Sequence, residues 1–254
     1  MMKSKTAVQL YTLREECQAD FPYVLKELKR MGWSGVQFAG YHGMEPQELA
    51  ALLKELGLGT AGLHVGYKRF VEELDELIRE ARILGTKDLV CPSTPADLRT
   101  PEGYVEVRGV LNEAAVRLKE EGLRLSYHNH AFEFETMVEG RTALEYLLEP
   151  SPGNPVLAEL DVYWVKKGGY DPLTYIAPYK QRMPIIHLKD MSRDEEQTFA
   201  EIGEGSIDFK PILEWGEANG VEWYVVEQDR CRRSPMDCVE TSWVNLSRLI
   251  KEFH

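Results

Sequence analysis

The chain has 254 residues, 43% of them hydrophobic, and 42 acidic against 30 Lys and Arg side chains give a formal net charge of −12. Its length is near the roughly 250 residues of an eight-unit α/β barrel, so one domain over 1–254 is expected. The acidity argues against nucleic acid, which needs a lysine and arginine footprint, and no run nears the roughly 18 apolar residues of a membrane span.

Short β-branched runs begin near Thr6, Ser34, Thr60, Lys87, Leu123, Pro155, Met183 and Val221, with longer amphipathic segments between them. Thr6 starts too near the N-terminus for a charged leader and apolar signal region ahead of it, which makes the cytoplasm the expected location. After the first run, Asp20-Phe21-Pro22 reads as an N-cap with proline in the first turn, followed by the stripe Val24, Leu25, Leu28 and Met31. Leu49, Leu52, Leu53 and Leu56 precede Gly57, and Val71, Leu74, Leu77, Ile78 and Ala81 precede Gly85. Leu111, Ala114, Ala115 and Leu118 precede Gly122 in the same way, each glycine placed as a C-terminal cap.

Each strand-to-strand interval fits one βαβ unit, and eight strictly alternating units predict an α/β protein built as a single (β/α)8 TIM barrel. The open doubly wound alternative is disfavoured because no G-x-G-x-x-G or P-loop pattern follows Ala7-Val-Gln-Leu-Tyr11. Cys17, Cys91, Cys231 and Cys238 form no C-x-x-C pair and read as buried or incidental thiols.

Barrel chemistry sits where strands hand over to the following loops. Those ends carry Arg14, Gln37 and His64, then His128, Asn129, His130 and Glu133, then Asp161. His187, Lys189 and Asp190 close the seventh strand, and Glu227, Gln228 and Asp229 the eighth. The last four ends supply oxygen and imidazole donors without thiolate, a set suited to one divalent cation, with Mn²⁺ favoured and Mg²⁺, Co²⁺ or Zn²⁺ as alternatives. Taken singly, Asp161 reads sooner as a cap or loop acceptor than as a ligand, and His187 can be read as a structural histidine and Glu227 as an ion-pair partner of Arg230 or Lys189. Their coincidence at successive strand ends is what points to a metal.

Several fragments, in this order, carry a resemblance: Val8-Gln-Leu-Tyr-Thr-Leu-Arg14, Gly35-Val-Gln-Phe-Ala-Gly40, Gly62-Leu-His64 and Tyr127-His-Asn-His-Ala-Phe-Glu-Phe134. They continue with Leu160-Asp-Val-Tyr-Trp164, Ile186-His-Leu-Lys-Asp190, Gly203-Glu-Gly-Ser-Ile-Asp-Phe209 and Val226-Glu-Gln-Asp229. Along essentially its whole length the chain resembles the xylose isomerase-like barrel superfamily, also called the sugar phosphate isomerase/epimerase family. The resemblance implies a metal held by Glu133, Asp161, His187 and Glu227, with His128 the alternative to Glu133 on the fifth strand. Many relatives carry a glutamate on the second strand where this chain has Gln37.

The activity this implies is a metal-dependent sugar isomerase or epimerase. A polarised carbonyl would stabilise the enediolate left when the α-proton departs, with Glu133 and Glu227 moving the proton on the two faces. His64 and His130 are further candidates to carry protons, and Lys189 to stabilise oxyanion charge. Tyr11, Arg14, Gln37, His128, Asn129, Trp164 and Asp229 are candidates to bind the carbohydrate, with rim packing the competing role for Tyr11 and Trp164. The first alternative is a lyase or dehydratase acting on a keto sugar or inosose at the same metal site. Apurinic-endonuclease-like repair and non-catalytic sugar binding rank lower. The expected partner is a small carbohydrate, with no nucleic acid or membrane and a homo-oligomer as an open option.

Overall fold

The structure, a computed structural model, describes residues 2–253. Eight parallel strands close into one barrel in chain order: β1 (Thr6–Gln9), β2 (Gly35–Phe38), β3 (Gly59–His64), β4 (Asp88–Cys91), β5 (Arg124–His128), β6 (Leu157–Asp161), β7 (Ile185–Leu188) and β8 (Trp223–Val226), with β8 pairing back onto β1. Every strand begins within two residues of the position its β-branched run predicts. Helices stand between the strands, among them α1 (Arg14–Met31), α2 (Pro46–Leu56), α3 (Leu74–Leu84), α4 (Pro101–Glu120), α5 (Phe209–Asn219) and α6 (Pro235–Lys251). No helix is long and apolar enough to cross a membrane.

The capping signals operate as the side-chain chemistry requires. Asp20 breaks the helical path of α1 with φ −157° and its Oδ1 accepts the Tyr23 N–H at 2.9 Å, so it caps the second half of a helix that already starts at Arg14. Gly57 and Gly85 stop α2 and α3 in the left-handed conformation that a Cβ disfavours. One apolar stripe needs correction: Val71 belongs to a separate short helix, Tyr67–Glu72, and is 57% exposed, so the buried face of α3 begins beyond it.

The barrel interior is layered, because alternate strand residues point inward. At the N-terminal end the Trp223 ring fills the axis against Gly35 and Gly59, where a Cβ would collide with it. Above it Ala7, Ala61, Val90, Ile185 and Val225 form a small apolar plug. The next layer toward the C-terminal ends is wholly polar. One irregularity decides its composition: Val36 pairs with Thr60 but Phe38 with Leu63, so β3 carries one extra residue opposite β2. The bulge lies at Gly62, whose φ of +133° suits glycine. It resets the alternation, turning His64 inward where strict period two from Ala61 would point it out.

Candidate active site

The polar layer is a single hydrogen-bonded system centred on Glu159. Its Oε2 accepts from Gln37 Nε2 at 2.6 Å, and Gln37 is held in turn by Gln9 Nε2 at 2.8 Å. Glu159 Oε1 lies 2.6 Å from His64 Nε2, 3.1 Å from His187 Nε2 and 3.2 Å from His128 Nδ1. Gln37 Oε1 also meets His187 Nε2 at 2.7 Å. The three imidazoles pack on one another, with His64 stacked on His187 at 5.4 Å and His128 edge-on to both. Burial opposes charge on Glu159, yet the imidazoles facing it hold its carboxyl well below the usual range. Burial likewise opposes protonation of His187, but Glu159 and Glu227 outweigh it and raise the imidazole to about 10.

A second group lies toward the loops. Lys189 is fully buried, with Nζ 2.9 Å from Asp161 Oδ2, 2.9 Å from Glu227 Oε2 and 2.6 Å from Asp229 Oδ2. None of these contacts has hydrogen-bond geometry, so the ammonium sits among the acids as a compact charge. Three carboxylates overcome its desolvation and keep it protonated. Burial raises the Asp161 carboxyl to about 6 even against Lys189.

The positions expected from sequence divide. Asp161, His187 and Glu227 converge, and the residue that joins them is His128: one donor atom from each of the four lies within 4.8 Å of the others. Glu133 does not join. It is fully buried, but its Oε1 accepts from Tyr127 Oη at 2.7 Å and its Oε2 from the His130 N–H at 2.8 Å. Tyr127 faces outward from β5, one residue before inward-facing His128, so Glu133 is tied to the wrong side of the strand for the cluster. There it pins the β5 loop, and Tyr127 Oη also meets Thr94 Oγ1 at 2.8 Å. Asn129 turns its Oδ1 to the Asp161 N–H at 2.9 Å and is buried, a positioning contact.

Two neighbouring cavities open above this layer. The inner one, about 320 Å³, is lined by Tyr11, Ala39, His64, Pro92, Ser93, His128, His130, Glu227 and Asp229. The outer one, about 600 Å³, holds Arg14, Trp164 and Phe199 and shares Tyr11 and Asp229 with the first. His130 packs against Trp164 and Phe132, and burial with Lys189 nearby drops its imidazole to about 3, so it is neutral at pH 7. Sequence reasoning missed Glu159. Its signal was present, since Glu159 stands two residues before Asp161 on β6 and therefore shares its inward face.

The residues fit a divalent cation. Asp161 Oδ2 is buried without a hydrogen bond, facing the Lys189 ammonium at 2.9 Å, and His128 Nε2 stands 4.0 Å from the same oxygen; a polar atom in a core rarely lacks a hydrogen bond unless something else satisfies it. The donor set is two imidazoles and two carboxylates, and His64, His128, Glu159 and His187 form an overlapping second set. The group with Asp161 and Glu227 has one imidazole more and one carboxylate fewer than the set expected from sequence.

A sequence profile described as xylose isomerase-like TIM barrel matches residues 25–240. An inosose dehydratase from Geobacillus kaustophilus is 28% identical over 249 residues, 82% of this chain and 79% of that protein. One from Lacticaseibacillus casei is 30% identical over 140 residues, which spans 48% of this chain and 46% of that protein. Among solved structures, a sugar phosphate isomerase/epimerase from Parabacteroides distasonis superposes with a TM-score of 0.82 at 24% identity, covering 96% of this chain and 98% of that one. The last match bears on fold.

Proposed function

The chain belongs to the xylose isomerase-like TIM barrel family, and from that premise we propose that it is a divalent-metal-dependent lyase that eliminates a β-hydroxyl, as water, from a keto cyclitol or keto sugar. The observation that carries the reading is the buried group of His128, Asp161, His187 and Glu227 beneath a ring-sized cavity, in a chain similar to inosose dehydratases along most of its length. A cation there would act as Lewis acid toward a substrate carbonyl and the enolate charge that develops when the α-proton leaves.

The chain's own residues supply the proton chemistry. Glu159 fixes the His64 tautomer: with Nε2–H directed at the carboxylate at 2.6 Å, Nδ1 carries the lone pair. His64 also borders the inner cavity, so it is placed to take the α-proton, and Glu159 stabilises the imidazolium that results. His130, neutral and on the same wall, would hydrogen-bond the departing hydroxyl, and the proton taken up by His64 would pass to that oxygen, so that it leaves as water and the imidazole returns to its neutral form. Lys189 keeps Asp161, Glu227 and Asp229 from repelling one another and holds their geometry. The Glu133 and Glu227 pair that two-face epimerisation would use does not form, and the carboxylates that do line the cavity, Glu227 and Asp229, both come from the β8 end. That asymmetry favours elimination over epimerisation.

The test is a panel of inososes and keto sugars with Mn²⁺ or Co²⁺ in deuterated water. Loss of one water from a substrate, with a new enone absorbance, supports elimination. Deuterium incorporation with the molecular formula retained overturns it in favour of isomerisation.

A further inference from the structure

The inner cavity alone, about 320 Å³, is at the low end of the roughly 300 to 1,000 Å³ of small-molecule sites. It shares Tyr11 and Asp229 with the outer cavity of about 600 Å³. The two differ in chemistry. Imidazoles and carboxylates line the inner one, whereas Tyr11, Trp164 and Phe199 supply planar faces in the outer one, with Trp164 and Phe199 centroids 5.8 Å apart. Tyr11, which lines both cavities, is 43% exposed.

The outer cavity also holds three guanidinium groups in a strongly acidic chain. Arg232 is neutralised by Asp194 at 2.7 Å and Glu196 at 3.5 Å. Arg14 lies over the Tyr11 ring at 4.4 Å and donates only to the carbonyls of Tyr11 and Asp229, so its charge has no carboxylate partner among the described residues. Arg230 has no ion pair or hydrogen bond among the described residues. With 42 acidic side chains available, two unpaired guanidiniums beside aromatic walls form a recognition surface for a planar group carrying negative charge.

We propose that the outer cavity is a second subsite and that the substrate is a ring ketone bearing a planar, anionic substituent, the ring in the inner cavity and the substituent against Tyr11, Trp164 and Phe199 with its charge toward Arg14 and Arg230. This inference rests on the keto-ring reading above and extends it to the part of the substrate outside the ring.

Metal-loaded protein is titrated by calorimetry with four probes: a ring ketone alone, the same ring carrying a phenyl ether, the same ring carrying a 4-carboxyphenyl ether, and 4-methoxybenzoate without a ring. The carboxyphenyl compound is expected to bind about tenfold more tightly than the phenyl one, or about 1.4 kcal/mol, and Arg230→Ala, a change at an exposed side chain, to abolish that difference. Equal affinity of the three ring compounds, or a difference that Arg230→Ala leaves intact, overturns the subsite. Binding of 4-methoxybenzoate that is lost in Arg230→Ala, with no binding of the plain ring ketone, supports the subsite while removing the keto-ring reading beneath it.

Discussion

At the scale of single residues, the fifth strand shows how period two decides which side chains meet. The run Tyr127-His-Asn-His-Ala-Phe-Glu133 offers three donors within a few positions, and residue type alone does not choose between them. The pleat separates them in space: His128 faces the barrel axis, while Glu133 reaches back to outward-facing Tyr127. If His128 is a ligand and Glu133 a loop pin, His128→Ala should cut metal content at least tenfold in dialysed protein measured by plasma mass spectrometry, whereas Glu133→Gln should retain it. The reverse result would restore Glu133 to the metal. Glu133 also makes a pH prediction, because burial raises its carboxyl from 4.5 to about 7. The folded state then holds a proton that the unfolded chain releases. The stabilisation is complete below about pH 4.5 and disappears as pH rises through about 7, a swing on the order of 3 kcal/mol. Urea midpoints between pH 4.5 and 7.5 should fall less steeply in Glu133→Gln than in the parent, and parallel curves would refute the assignment.

At the scale of elements, strands and caps were legible because each rests on local pattern, and the eight strand starts shifted by no more than two residues. What was not legible rests on register. The bulge at Gly62 is invisible in composition, yet it turns His64 into the polar layer. Glu159 escapes a search of strand ends because it lies within Leu157–Asp161, two residues before the end. The loop after β7 makes a third case. Buried Asp190 accepts the N–H groups of Met191, Gly203, Gly205 and Ile207 at 2.8 to 3.0 Å, fastening the Gly203-Glu-Gly205 turn whose sequence alone reads only as a turn. A Cβ on Gly205 would strike the Asp190 carboxylate and the Met191 carbonyl. Gly205→Ala should therefore cost about 1 to 3 kcal/mol or more by overpacking, and it should loosen the segment that brings Thr198 and Phe199 to the outer cavity. Hydrogen exchange at Gly203 to Ile207 would register this, and protection equal to the parent would show that the turn is not held by Asp190.

For the whole molecule, the arrangement of charge is the organising fact. At the end of the barrel that Trp223 closes, Arg124 clamps Asp88 and Glu222 at 2.6 to 2.8 Å. The other end gathers Glu159, Asp161, Glu227 and Asp229 around one buried ammonium and a cluster of imidazoles. Such a layer is expensive to fold, since buried carboxylates lose hydration that only partners of opposite charge restore. Lys189 offsets part of that cost, and a bound cation would offset more, so metal binding and folding should be linked. Any ligand that binds only the folded state at one hundred times its Kd adds about 2.7 kcal/mol, which for a chain of this size is a rise of about 5 to 10 °C in Tm. Mn²⁺, Co²⁺ and Zn²⁺ added to chelator-treated protein should each raise Tm on that order, and Asp161→Asn, which removes a charge where Oδ2 lacks a hydrogen bond, should abolish the increment. The asparagine variant without metal should itself have a lower Tm than the parent, because it takes one of three carboxylates from beside the fully buried Lys189. If the parent's Tm is indifferent to all three ions, the buried donors are a structural network held by Lys189 alone, and the lyase reading falls with the metal.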